Sequence, residues 1–101
     1  MKQEKWMSLL GLANRARKII SGEELVVKEI KNRRAKLVLI SKDASSNTSK
    51  KIQDKCTFYD IPFHFVESRE KLGFAIGKDE RVVVAILEDG FAKKLTSLLD
   101  E

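Results

Sequence analysis

The sequence predicts an α/β fold: a three-layer αβα sandwich around a central mixed sheet of about four strands. Three observations predict it. Two uninterrupted apolar runs, at residues 37–40 and 82–87, have the length and β-branched character of strands covered on both faces. Segments with a helical repeat of apolar residues flank and separate them. Strands alternating with helices build a sheet held between helical layers. With 101 residues, one proline and five scattered glycines, the chain has material for one core and no linker. Residues 1–101 therefore read as a single domain.

Each element follows from its own pattern. Trp6, Leu9, Leu10, Ala13, Arg17 and Ile20 trace one face of a first helix, which Ser21 and Gly22 should break. Ser21 with Glu24 three residues on has the form of a capping box, so a second helix is expected to start there. Val26, Val27 and Ile30 give it a buried side, and it should end near Arg33 and Arg34. Leu37, Val38, Leu39 and Ile40 form the first strand. Residues 42–49 are a polar turn with several N-cap candidates. A third helix follows, with Ile52, Cys56 and Tyr59 on one face. Asp60, Ile61 and Pro62 turn the chain into a short strand at residues 63–66. Ser68 can cap a fourth helix carrying Leu72 and Ala75, and Gly77 can close it. Residues 78–81 form a loop, 82–87 a second fully buried strand. Asp89 caps a last helix with Phe91, Leu95 and Leu98 facing inward. The two apolar runs belong at the sheet centre.

Charge is distributed unevenly. The net charge is +5 and the isoelectric point about 9.4. Residues 1–42 hold eleven Lys/Arg against four Asp/Glu, whereas residues 43–101 hold nine against eleven. A basic half beside a near-neutral half gives a one-sided field suited to an anionic partner such as nucleic acid. The apolar runs fall far short of the ~20 residues that span a bilayer, so no membrane partner is expected. The single cysteine makes no internal disulfide, and together with the absence of a signal-like start it points to a reducing cytoplasm.

Catalytic chemistry is not encoded in any recognisable form, and no cofactor or metal is expected. His64, the only histidine, sits between Phe63 and Phe65 and on a strand faces away from both. Cys56 lies on an apolar helical stripe, away from metal-ligand spacing to His64, and reads as a small core residue. Gly73, Gly77 and Lys78 lack the spacing of a phosphate loop, because three residues rather than four separate the glycines and Asp79 follows the lysine. Glu88 and Asp89 lie at a strand end, where a helix cap explains them. No nucleophile, base and orienting group assemble, so the chain is expected not to be an enzyme.

The segment from Ser21 to Arg34 carries the functional signal. A glycine turn opens a helix whose first amides have no helical partners, and these amides with the helix dipole favour phosphate or an electron-rich base edge. Lys28 projects one turn further in, and Lys31 lies three residues on, toward the same side. Lys36 and Lys42 flank the adjacent strand. Glu23 and Glu24 complement the helix dipole and partly oppose phosphate.

Almost the whole chain resembles the kink-turn RNA-binding ribosomal protein superfamily (the L-seven-Ae group), and within it the small bacterial members of the YlxQ type. The stretches that carry the resemblance run in order: Ser21-Gly22-Glu23-Glu24-Leu25 with Lys28; Ala35 through Asp43; Ile61-Pro62; Val66-Glu67-Ser68, then Leu72-Gly73-Phe74-Ala75-Ile76-Gly77; and Val82 to Ile86. Residues 10–16 and 90–94 resemble the bacterial subgroup in particular. The resemblance implies an αβα sandwich that reads sheared G·A pairs beside a sharp bend in RNA through a G-x-N-E-x-x-K motif. Gly22 matches its glycine and Lys28 its lysine. The loop of Val66, Glu67, Ser68 and Arg69 matches a second contact, where apolar atoms pack on an extruded nucleotide. Two positions depart from the pattern: Glu24 stands where the family has Asn, and Leu25 where it has Glu. A carboxylate accepts but does not donate, and a lost bidentate base contact is worth roughly 1–3 kcal/mol of discrimination. Arg33 also replaces a common glycine, and Ser46 a common proline.

The expected function is a non-catalytic RNA-binding protein that recognises a bent, kink-turn-like structured RNA, ribosomal or regulatory. The site would comprise Gly22, Glu23, Glu24, Leu25, Lys28, Lys31, Lys42, Val66, Glu67, Ser68 and Arg69, and the protein would be a monomer, with the ribosome as a further partner. The alternative is a ribosome- or transcription-associated protein-interaction module without specific RNA readout. Leu25, if exposed, would serve it as an apolar contact.

Overall fold

The computed structural model describes residues 2–100. Five helices and four strands alternate: α1 (Lys2–Arg15), β1 (Ile19–Ser21), α2 (Glu23–Lys31), β2 (Leu37–Ser41), α3 (Ser46–Phe58), β3 (Phe63–Val66), α4 (Arg69–Ala75), β4 (Val83–Ile86) and α5 (Asp89–Leu99). They form the expected three-layer sandwich around one mixed four-stranded sheet of order β1-β4-β2-β3. β2 and β3 run parallel, while β4 is antiparallel to both β1 and β2. The two apolar runs occupy the centre, as their composition requires.

Alternation along these central strands divides the core in two. Leu37 and Leu39 of β2, with Val84 and Ile86 of β4, face α1, α4 and α5, where Trp6, Leu10, Leu72 and Leu95 close the layer. Val38 and Ile40, with Val83 and Ala85, face α2 and α3, where Val26, Ile30, Ile52 and Cys56 close the other. Each of these buried aliphatic side chains contributes about 1.5–3 kcal/mol over its exposed state. Cys56 is a core residue, and burial pushes its thiol up to about 12. His64 lies on the opposite face of β3 from the edge-to-face pair Phe63 and Phe65, with its Nε2 3.6 Å from Asp100.

Several boundaries differ from the sequence expectation. The first helix does not reach Arg17 and Ile20. Residues 19–21 are a strand, β1, paired antiparallel with β4 through Ile19 with Ile86, Ile20 with Ala85 and Ser21 with Val84. Ser21 is therefore held in the sheet and does not cap α2. Its Oγ accepts from Arg81 Nε at 3.2 Å, and Gly22 takes the cap position without a side-chain bond. At α5 the cap is Glu88, whose carboxylate accepts from the Phe91 amide at 2.7 Å. Asp89 instead occupies the first turn and complements the dipole.

Four helices end in one manner. After α1, α2, α3 and α4 the chain passes through a positive φ at Arg17, Arg33, Asp60 and Gly77. In each case two consecutive amides bond back into the last turn: Arg17 to Asn14 and Lys18 to Ala13, Arg33 to Ile30 and Arg34 to Glu29, Asp60 to Thr57 and Ile61 to Cys56, Gly77 to Phe74 and Lys78 to Gly73. This is the Schellman pattern, and only the fourth stop uses the glycine that favours it.

Candidate nucleic-acid interface

Strand directions decide what meets at the edge that carries the candidate residues. β1, β2 and β3 all end at one edge of the sheet, and β4 begins there. The starts of α2, α3 and α4 follow directly and gather at that edge. A shallow cleft of about 360 Å³ lies between them, lined by Gly22, Glu23, Ser45, Thr48, Arg69, Glu80, Arg81, Val82 and Val83.

Gly22 sits at φ 102° and ψ 140°, a conformation open essentially to glycine alone. Its amide donates to the Val83 carbonyl at 3.2 Å and its carbonyl accepts from the Val26 amide at 2.9 Å. Nothing lies within 4 Å of where a Cβ would stand, so the backbone is open to a ligand there. With no side-chain cap, the first amides of α2 remain available to an acceptor.

Glu23 lines the cleft beside Gly22. Its carboxylate accepts from Lys51 Nζ and from Thr48 Oγ1, both at 3.0 Å, tying α2 to α3. The Lys51 bond first, then the Thr48 bond, hold its carboxyl below the ordinary value of 4.5. A depressed folded pKa contributes stability above the unfolded value and loses it as pH falls through the folded one. Glu23→Gln is therefore expected to cost stability at neutral pH and to converge with the native chain below pH 4.5. Urea midpoints at the two pH values test this, and a pH-independent difference would refute it.

Glu24 and Leu25 are solvent-facing, Leu25 being 49% exposed. Lys28, Lys31 and Lys42 are exposed, and among the described residues none of them makes an ion pair. Lys28, six residues beyond Gly22, is about 9 Å along the helix and already in its last turn. Lys31, nine residues beyond Gly22, is about 13 Å along the helix. Lys42 is at the edge, its amide donating to the Val66 carbonyl at 2.8 Å. Lys36 precedes the opposite end of β2, about 20 Å away at strand rise, and so does not share the patch.

The second loop behaves differently from expectation at Val66. Its side chain is only 2% exposed and belongs to the core, because its place at the end of β3 beside Ser41 turns it inward. It therefore offers a ligand no apolar surface, which corrects the role that the resemblance implies for it. Glu67 is exposed and pairs with Lys71. Ser68 caps α4, its Oγ accepting from the Lys71 amide at 3.2 Å. Arg69 braces the turn after β2: its amide donates to the Asp43 carboxylate at 3.1 Å and its guanidinium to the Asp43 carbonyl. The Asp43 carboxyl is held low by the Ser41 hydroxyl first and then by Arg69. Ser41 Oγ makes no hydrogen bond among the described residues, so the Arg69 amide is the Asp43 partner with hydrogen-bond geometry.

Arg81, Asp43, Ser45 and Thr48 belong to this edge and were not legible as site residues. Arg81 lines the cleft while donating to Ser21 Oγ and the Glu80 carbonyl. Only the antiparallel entry of β4 brings a residue preceding that strand beside residues that follow β1 and β3. Among the described residues no group of His, Cys, Asp and Glu could hold a metal ion, and no helix is long and apolar enough to cross a membrane.

Residues 4–96 match the Ribosomal protein L7Ae/L30e/S12e/Gadd45 family. The RNA-binding protein YlxQ of Bacillus subtilis (strain 168) is 63% identical over 100 residues, covering 99% of this chain and 100% of the relative. The RNA-binding protein YlxQ of Enterococcus faecium is 44% identical over 98 residues, covering 97% and 94%. A solved structure of a protein with unknown function from Bacillus halodurans C superposes with a TM-score of 0.94 at 52% identity, over 96% of this chain and 98% of that one. The Giardia lamblia 15.5kD RNA binding protein superposes with a TM-score of 0.83 over 99% and 87% at 19% identity, a likeness of fold.

Proposed function

The chain belongs to the ribosomal protein L7Ae/L30e/S12e/Gadd45 family, and from that premise we propose that it is a non-catalytic RNA-binding protein that recognises a bent, kink-turn-like element in a structured RNA, ribosomal or regulatory. Relatives at 63% and 44% identity are RNA-binding proteins by name. The observation that carries the reading is Gly22: an open backbone with uncapped amides after it. The unpaired Lys28 lies about 9 Å further along the helix. Backbone amides and a lysine read an irregular RNA without the amide side chain that Glu24 lacks, because amides donate to phosphate and to base acceptors alike. Glu24 accepts from a guanine amino group, and Lys42 supplies charge beside the bend. The protein acts as a cytoplasmic monomer in this reading, with RNA as its partner and the ribosome as one setting.

The test is a titration against a kink-turn duplex and the same duplex with its G·A pairs replaced, at two salt concentrations. A preference for the kinked RNA is expected. Equal, strongly salt-dependent binding would reduce the interaction to general electrostatics. Lys28→Ala is expected to weaken binding and to lower the log–log salt slope by about one, and an unchanged slope would remove Lys28 from the interface. Leu25, half exposed beside the turn, favours a second reading in which the same edge docks a protein. A pulldown that survives thorough nuclease treatment, with no binding to either RNA, would select it.

A further inference from the structure

The outer face of α3 carries a second feature that the edge site does not use. Asn47, Lys50, Lys51, Asp54, Lys55 and Phe58 recur at helical spacing, so they share one face. With Tyr59 they line an open groove of about 580 Å³. Phe58 is 78% exposed. Its ring meets Tyr59 edge to face at 4.9 Å, and the Arg33 guanidinium sits over the Tyr59 ring at 5.5 Å. The groove thus pairs an open aromatic ring, braced by a second ring and a cation, with three lysines against one aspartate.

We propose that this face of α3 is a second RNA contact: a stacking platform for a single-stranded segment that flanks the folded element bound at the α2 edge. Charge complementarity selects the occupant. Lysines tracking a backbone beside an exposed aromatic ring are the two components of sequence-tolerant single-strand binding. The lysines are cheap to redirect. Lys50 pairs with Asp54 at 3.5 Å between exposed side chains, and such pairs contribute little. Lys55 makes no ion pair among the described residues. The groove is continuous with the first site, because Lys51 both lines it and holds Glu23. From Asn47 to Phe58 the face runs about 17 Å at helical rise, away from the cleft. The idea rests on the RNA-binding reading for its geometry, but its central test does not require a kinked RNA.

Because Phe58 is exposed, its replacement leaves the core intact. Phe58→Trp in the full chain is expected to show fluorescence quenching when a single-stranded uridine oligomer is added. The native chain, whose Trp6 is buried, should show none. Adding a short uridine tail to the kink-turn duplex is expected to strengthen binding. Phe58→Ala should weaken the tailed RNA about tenfold, within the range for loss of a base stack, and leave the blunt duplex unchanged. Lys55→Ala should lower the salt slope for the single strand by about 0.7. Quenching with no preference for kinked over unkinked duplex supports the platform while sinking the kink-turn reading. A tail that adds no affinity together with an unquenched Trp overturns the platform. So does a Phe58→Ala chain that keeps every RNA affinity and loses only a nuclease-resistant protein partner.

Discussion

Replacing Gly22 with alanine is expected to destabilise the fold by about 1–3 kcal/mol and to weaken RNA binding about tenfold or more, the scale of one hydrogen bond to a charged acceptor. The stability loss is conformational, since nothing lies within 4 Å of the added methyl. The backbone cannot escape by rotating. The Gly22 amide is held by Val83 and its carbonyl by the Val26 amide, so relief of φ would break the join of β1 to β4 or the first turn of α2. For a chain of this length each kcal/mol lowers the melting temperature by roughly 4–8 °C. The binding loss has a separate origin, because the methyl would stand on the open side where a ligand meets the amides. Gly77 provides the control. It has φ 73° and equally open space, but it follows α4 at the opposite end of the sheet. Gly77→Ala should lower the melting temperature and leave RNA affinity intact once both chains are fully folded. Equal RNA affinity for Gly22→Ala and the native chain would move the contact away from the turn.

Gly73→Ala is expected to destabilise by about 1–3 kcal/mol through overpacking, and to loosen the cleft at a distance. A Cβ there would lie 2.6 Å from Glu80 Cα and 2.7 Å from its nitrogen. These are backbone atoms and cannot swing aside as a side chain does. The contact is closed on both sides: the Lys78 amide bonds the Gly73 carbonyl at 2.9 Å, and the Arg81 amide bonds the Arg69 carbonyl at 3.1 Å. Displacing residue 80 therefore carries Arg81 away from Ser21. Gly90 is the contrasting position, where the three atoms nearest a Cβ all belong to the Glu88 side chain, at 3.2 Å and beyond. Thermal melts of Gly73→Ala and Gly90→Ala measure the difference. Equal melting temperatures would mean that the loop at residue 80 moves freely and does not brace the cleft.

Much of the fold was legible because it is encoded in local repeats. The runs at 37–40 and 82–87 had to be central, since alternate side chains of one strand could be apolar only if both faces were covered. Ser68 as a cap, β3 over residues 63–66 and the apolar stripe of α2 followed the same way. The errors have local causes too. Ile20 and Arg17 extend the helical count of Leu10 and Ala13, whereas β1 has three residues, too few to show a period of its own. Arg17, Arg33 and Asp60 adopt the positive φ of a helix stop, which residue type alone does not announce outside glycine. Ser21 matched a capping box by spacing, and its pairing with Val84 overrode that match.

By itself the sequence determined the layers and the two-sided core, and it singled out Gly22 and Lys28, the two residues from which the proposed RNA site is argued. Each of these is a property of a short stretch: a repeat, a missing side chain, a free charge on a helix. Only the tertiary structure decided which of the other residues share their edge. It brought Arg81, Ser45 and Thr48 to the cleft, drew Glu23 into a brace, turned Val66 inward and set Lys36 at the far end. The reason is that an edge is assembled by strand order and direction, β1-β4-β2-β3 with β4 reversed. Those are pairings between residues distant in the chain, which no local pattern records.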